Sequence, residues 1–240
     1  MVDGWSFILP EDNVDIDCIV VNVYILKPDV PSGKLPEMKS AIRPYHHGNL
    51  RQELLRAAEA ALEAGGVQQL SLRGLSRELG VSHGSPQRHF ATKQDLLNAL
   101  ATEGFQRLDG VSAKAATAPG QDFNARLTKV ALAHLGFALK HPALLALMFE
   151  AKQQPAMPPE LLAALQSAFS HIPRILKEGQ AAGKIVPGDP YRLALTIGAV
   201  VQGLVAISVD GKIKGDSLKV IVPEVIGHVL NGLGTGKAKG

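Results

Sequence analysis

At 240 residues the chain is long enough for one large domain or two small ones with a buried core. An apolar content of 46% with few aromatics fits a globular protein, and the single cysteine, Cys18, excludes an internal disulfide framework and any cysteine-based metal site. The net charge of +3 conceals a split: residues 1–37 hold seven acids and two bases, which leaves 23 bases against 15 acids in the rest, a body suited to an anionic partner.

The chain opens without a basic stretch followed by an apolar core, so no secretory signal is read, and with one cysteine this fits a reducing cytoplasm. Within residues 1–37 a Val- and Ile-rich run, Val14 to Leu26, is strand-like. At Met38-Lys39-Ser40 the character changes as at a translation start. Residues 1–37 therefore read as an extension that is non-native or disordered; the alternative is an arm that docks on the body or on another chain. Arg43 to Asn49, RPYHHGN, is a polar, basic arm. His46 and His47 lack the partners a metal needs, and a phosphate-facing role suits them better. Asn49 is a candidate N-cap, with Gln52 completing a capping-box pattern. The helix it starts runs through Leu54, Ala58 and Leu62 to a stop at Gly65-Gly66.

Residues 71–90, SLRGLSRELGVSHGSPQRHF, read as helix, tight turn, helix. Leu72, Leu75 and Leu79 recur at helical spacing behind a Ser71 cap, and Gly80 supplies the left-handed residue that ends a helix. The second helix, roughly His83 to Phe90 with Ser82 as its cap, offers His83, Gly84, Ser85, Gln87 and Arg88 and almost no apolar surface. Pro86 falls in its first turn, where losing an N–H costs little. A short polar helix after such a turn is built to enter a major groove, with short donors at base edges and cations on phosphates. Thr92 caps a further helix with Asp95 at N3, and Leu96, Leu97, Leu100 and Phe105 form its buried face. Lys93 lies in its first turn, where backbone N–H groups also attract an anion.

Tyr45-His46-His47-Gly48-Asn49-Leu50, the helix-turn-helix, and His89-Phe90-x-x-Lys93-x-x-Leu96-Leu97 together resemble the TetR family of transcriptional regulators over residues 45–108. The family's usual phosphate-contacting Tyr is Gln87 here. The resemblance implies a DNA-binding domain over 38–110, with Arg43 and Tyr45 in the arm and Arg73 and Lys93 on phosphate. Ser82, His83, Gly84, Ser85, Pro86, Gln87 and Arg88 would then face the groove.

Ala113 to Gln121 reads as a small-residue linker before a second helical body over 122–233. Phe123, Leu127, Val130, His134, Phe137 and His141 form one stripe; Ala131, Leu135 and Leu139 form another, the mark of a central helix. His141-Pro142 breaks it before a Leu144–Phe149 helix. Pro158-Pro159 opens a helix carrying Leu162, Leu165, Phe169, Ile172 and Leu176, which Pro173 should kink and Gly183 should end. Asp189-Pro190 pairs an N-cap with Pro at N1. Leu193 to Val209 is uncharged and nearly long enough to span a membrane. Its Ala199, Gly203 and Ala206 stripe reads better as close packing in a helix bundle. Val222, Ile226, Val229 and Leu233 line the last helix, and residues 234–240 form a disordered tail.

This half is similar to a TetR-family C-terminal domain with a Trp-His-Gly signature, on Ala138–Leu144, Gly183–Pro190 and Gln202-Gly203-Leu204, although Gln202 replaces the His and the Trp is absent. The whole implies an all-α protein: a three-helix DNA-binding domain on a helical-bundle domain that binds a ligand and dimerises. Its expected partners are operator DNA, a second copy and a small apolar effector, with no membrane, metal or cofactor. The pocket candidates are His134, Phe137, Met148, Phe149, Phe169 and Gln202. The dimer-interface candidates are Ala199, Gly203, Ala206, Ile226 and Val229. The reading is a repressor released by its effector, with a non-specific DNA-binding protein as the alternative. Two motifs point instead to a hydrolase: Gly80-Val81-Ser82-His83-Gly84 matches a nucleophile elbow, and Gly215-Asp216-Ser217-Leu218 a GDSL esterase. The elbow needs a strand before it, and the sequence there is helical.

Overall fold

The apolar periodicities resolve into nine helices among the residues described by the computed structural model, which are 50–117, 122–209, 213 and 215–233. The 1–37 extension, the arm with Arg43 and Tyr45, Asn49 and the 234–240 tail lie outside them. The helices are α1 (Leu50–Gln69), α2 (Leu72–Glu78), α3 (Lys93–Ala116), α4 (Phe123–Lys140), α5 (Pro142–Ala151), α6 (Pro159–Phe169), α7 (His171–Ala181), α8 (Pro190–Val209) and α9 (Gly215–Leu233). A single 3-10 turn, Pro86–Arg88, lies between α2 and α3.

The caps follow the side-chain chemistry. Thr92 and Asp95 bond each other's backbone N–H groups across the start of α3, at 3.1 and 2.9 Å, a complete capping box. Asp122 accepts from Ala125 N at 2.7 Å and Asp189 from Tyr191 N at 2.9 Å. Gly183, at φ 64°, sits just past α7, where only a residue without Cβ turns left-handed freely.

Several boundaries differ from the sequence reading. At Gly65-Gly66 the chain does not stop: Gly66 takes φ 72°, ψ 178°, and one more helical turn follows to Gln69. The Gln52 carboxamide is spent across helices, donating to Glu103 at 3.2 Å. The expected linker from Ala113 is helical through Ala116, so a boundary at 110 falls inside α3. Around Pro173 the chain breaks rather than kinks, because proline offers no N–H to the Phe169 carbonyl and its ring crowds that oxygen. α6 ends at Phe169 and α7 begins at His171. Leu139 is exposed, not part of a second buried stripe.

One continuous core holds the bundle together. Leu54, Leu55, Leu62, Leu96, Leu100 and Phe105 bind α1 to α3, while Leu127, Leu135, Leu144 and Met148 bring in α4 and α5. Helix α3 packs against α1 on one side and α4, α5 and α6 on the other. The Glu63 carboxylate of α1 accepts from Ala143 N and Leu144 N at 3.2 and 3.1 Å, a negative charge on the N-terminus of α5. α8 is long and apolar enough to cross a membrane by length and composition alone. Here it packs against α4, α7 and α9.

Candidate nucleic-acid interface and effector cavity

The helix-turn-helix is built from the cap outward. Ser71 Oγ accepts from Gly74 N at 3.0 Å, and Leu75 and Ser76 turn inward, with the Ser76 hydroxyl donating to Leu72 O at 2.9 Å. Gly80, at φ 66°, reverses the chain, and Val81 N returns to Ser76 O at 2.9 Å. The second helix is shorter than the sequence suggests. A cap at Ser82 would need residue 86 to donate the first α-type bond, and Pro86 has no N–H to give. Ser82 Oγ instead meets Ser85 Oγ at 2.7 Å, and i→i+3 bonds carry the chain through a 3-10 turn to His89.

What this segment shows to solvent is polar. Arg73, Ser82, His83, Gly84, Gln87 and Arg88 are exposed, and Ser85 is half-buried beside Ser82. Arg77 and His89, not among the expected contacts, are exposed on the same module. Pro86 is a correction: it is buried, because the proline ring is the apolar side of this turn and packs inward with Phe90. Arg51 stacks over the Phe90 ring at 5.4 Å. Lys93 donates to Val67 O at 2.6 Å, tying the head of α3 to the turn that precedes α2, with donors left over. The segment before Gly80 is the helix α2, so the strand–turn–helix setting of a nucleophile elbow is absent here. Gly215-Asp216-Ser217-Leu218 opens α9, not a turn after a strand.

The second site is a cavity of about 630 Å³ between α3, α4, α5, α6, α7 and α8, within the usual range for a small-molecule site. His134, Phe149, Phe169 and Gln202 line it as expected. Phe137 and Met148 do not. Phe137 projects from another face of α4, against His141 (5.1 Å between rings) and Arg107. Met148 fills the space left by the missing side chain of Gly104. The sequence reading missed Ser112, His171, Tyr191 and Leu195 as wall residues. His171 Nε2 lies 2.7 Å from Asp109 Oδ1. Since an ionised carboxylate only accepts, the ring carries its proton there and offers Nδ1 to Arg174 at 3.3 Å.

Two buried polar atoms near this cavity have no hydrogen-bond partner: His134 Nε2, in the wall, and Lys152 Nζ, which does not line the cavity but lies against the wall residues Phe149 and Phe169. Lys152 is 8% exposed, and its ammonium lies 3.9 Å from the Phe149 ring centre and 4.9 Å from that of Phe169. Burial pushes Lys152 down to about 7. Burial, with the nearby Lys152 charge, pushes His134 down to about 4.

Of the α8 stripe, Ala199 is exposed and lines the cavity, while Gly203 and Ala206 are half-buried outside it, with open space where a Gly203 Cβ would stand. Tyr191, Ile207 and, from α9, Val220 are large exposed apolar residues. Ile226 is a correction: it is fully buried within the chain, on the face of α9 that also carries Leu218, Val222 and Leu230. Val229 is partly buried against the same core.

Two family models match this chain: "Bacterial regulatory proteins, tetR family" over residues 54–100, and "Tetracyclin repressor-like, C-terminal domain" over residues 127–220. Among solved structures, the chain is similar to a protein of unknown function from Rhodococcus sp. RHA1, with 40% identity and a TM-score of 0.72 over 80% of this chain and 98% of that one. It also resembles a bacterial regulatory protein in the tetR family from Rhodococcus RHA1, at 21% identity and TM-score 0.61, over 78% of this chain and 98% of that one. A third likeness is the TetR family transcriptional regulator PfmR from Thermus thermophilus, at 18% identity and TM-score 0.59, over 75% of this chain and 98% of that one. No curated protein matches the chain.

Proposed function

This chain belongs to the TetR family of bacterial regulatory proteins, DNA-binding transcription regulators rather than enzymes, and from that premise we propose that it is a repressor released from its operator by a small, largely apolar effector. The observation that carries the reading is a shared helix. α3 begins at Lys93, bonded to the helix-turn-helix side, and ends beside the cavity, where Ser112 forms part of the wall. Whatever fills the cavity acts on the element that carries the DNA-binding segment.

The mechanism follows from linkage. Two protomers joined through the outer faces of α8 and α9 present two polar turns to successive major grooves, about 34 Å apart. An effector that favours a different spacing weakens DNA binding, and DNA weakens effector binding by the same factor. Arg73, Arg88 and Lys93 supply phosphate contacts, and His83, Ser85 and Gln87 read base edges; the proposed place of action is the cytoplasm. Selection of bound sequences from random DNA tests the reading. A specific-to-non-specific affinity ratio near one would favour the alternative, a non-specific DNA-binding protein.

A further inference from the structure

The cavity is apolar along most of its wall, yet unanswered polar chemistry lies around one wall residue, Phe169: His134 lines the cavity with it, and Lys152 stands against its ring without lining the cavity. Lys152 Nζ and His134 Nε2 are both buried without hydrogen-bond partners, and both stand around one side chain, Phe169. The His134 ring lies 6.2 Å from the Phe169 ring, and the Lys152 ammonium 4.9 Å from it. A buried ammonium facing only aromatic rings is incompletely compensated, since cation–π contact replaces a fraction of the hydration it has lost. Burial lowers Lys152 to about 7, and burial together with the Lys152 charge lowers His134 to about 4.

We propose that the effector is an amphipathic acid, with an apolar body that fills the cavity and a carboxylate that reaches Lys152 and His134 by displacing the Phe169 ring. The inference rests on the cavity being the effector site, as argued above. The acid supplies what this region lacks: a carboxylate accepts from the Lys152 ammonium and from the protonated nitrogen of His134, a pair of charge-assisted bonds in a dry setting. Phe169 suits the part of a partition. It is the last residue of α6, beside the break at Ser170, and it lines the cavity. It also packs edge-to-face on Phe105 of α3, with ring centres 6.1 Å apart. A ring moved by the carboxylate therefore presses on the helix that carries the DNA-binding turn.

The test uses full-length protein on its selected operator, with decanoate and 1-decanol as matched probes at pH 7. Calorimetry gives their affinities and fluorescence anisotropy their effect on the DNA. Decanoate should bind about ten- to a hundredfold more tightly than decanol, the worth of charge-assisted hydrogen bonds, and should release the operator. In Lys152→Met the ratio should fall to near one; Lys152→Gln serves if the methionine variant does not fold. Decanol that binds and releases DNA as well as decanoate would overturn the acid and leave the apolar effector standing. An unchanged ratio in both variants would overturn the role of Lys152. Failure of both probes to bind would remove the cavity as effector site, and this inference with it.

Discussion

His171 Nε2 and Asp109 Oδ1 lie 2.7 Å apart, so the helix that leaves the DNA-binding segment is bonded directly to a helix that walls the cavity. His171 is 8% exposed on its side chain and depends on that carboxylate for its Nε2 proton. Asp109→Ala should cost about 1–3 kcal/mol, the usual penalty for an orphaned buried donor, whereas Asp109→Asn, which retains an acceptor, should cost less. Urea denaturation of both variants checks this. Equal losses would mean that the bond contributes little.

On the DNA-facing side, Lys93→Ala should weaken binding alike on all sequences and shallow the salt slope by about one. His83→Ala and Gln87→Ala, which remove exposed side chains from the polar turn, should instead relax preference at particular base pairs by about 1–3 kcal/mol. Salt titrations and selected-sequence profiles separate the two outcomes. Profiles unchanged in both variants would take this turn out of base readout.

Assembly divides the residues of α8 and α9 into two groups. Gly203→Leu and Val220→Glu alter the outer face and should convert a dimer to a monomer with modest loss of protomer stability. Ile226→Ala, at a site with no exposure, should cost about 2–5 kcal/mol as a cavity in the core. Light scattering and denaturation on the same samples distinguish them. A wild-type monomer at micromolar concentration would end this account of the interface.

The Lys152 and His134 shifts predict how stability depends on pH. Both groups bind protons less tightly when folded, so the unfolded chain takes up protons first and stability falls as pH drops between the two values. The window is 10.5 down to about 7 for Lys152, and 6.5 down to about 4 for His134. Lys152→Met should therefore stabilise the ligand-free protein most at and below pH 7, with the gain fading towards pH 10. His134→Leu should flatten the acid limb between pH 6.5 and 4. Urea midpoints across pH measure both, and a Lys152→Met gain constant from pH 7 to 10 would contradict the assignment.

What was legible in the sequence was local. Ser71, Thr92 and Asp189 cap the helices they precede, Asp95 closes the capping box from within α3, and Gly80 and Gly183 turn left-handed, because those effects act within one turn of chain. Direction across the bundle was less legible. Phe137 and His134 share one apolar stripe, yet only His134 reaches the cavity, since the choice depends on which neighbours α4 meets on each side. Ile226 looked like an interface residue for the same reason. Lys152 carried no sequence signal at all: a lysine after a Leu-rich helix normally reaches water, and only the Phe149 and Phe169 rings place its ammonium indoors.

The length of α3 sets how finely the proposed release from DNA must be balanced. Its 24 residues span about 36 Å. A tilt of about 5° around the cavity end would carry Lys93 through about 3 Å, and opposite tilts in two protomers would change the separation of their DNA-reading turns by about 6 Å, close to one-fifth of the spacing between successive grooves. On the proposed mechanism, an aromatic ring nudged by less than its own width would be enough, at the far end of a stiff rod, to put two half-sites out of reach.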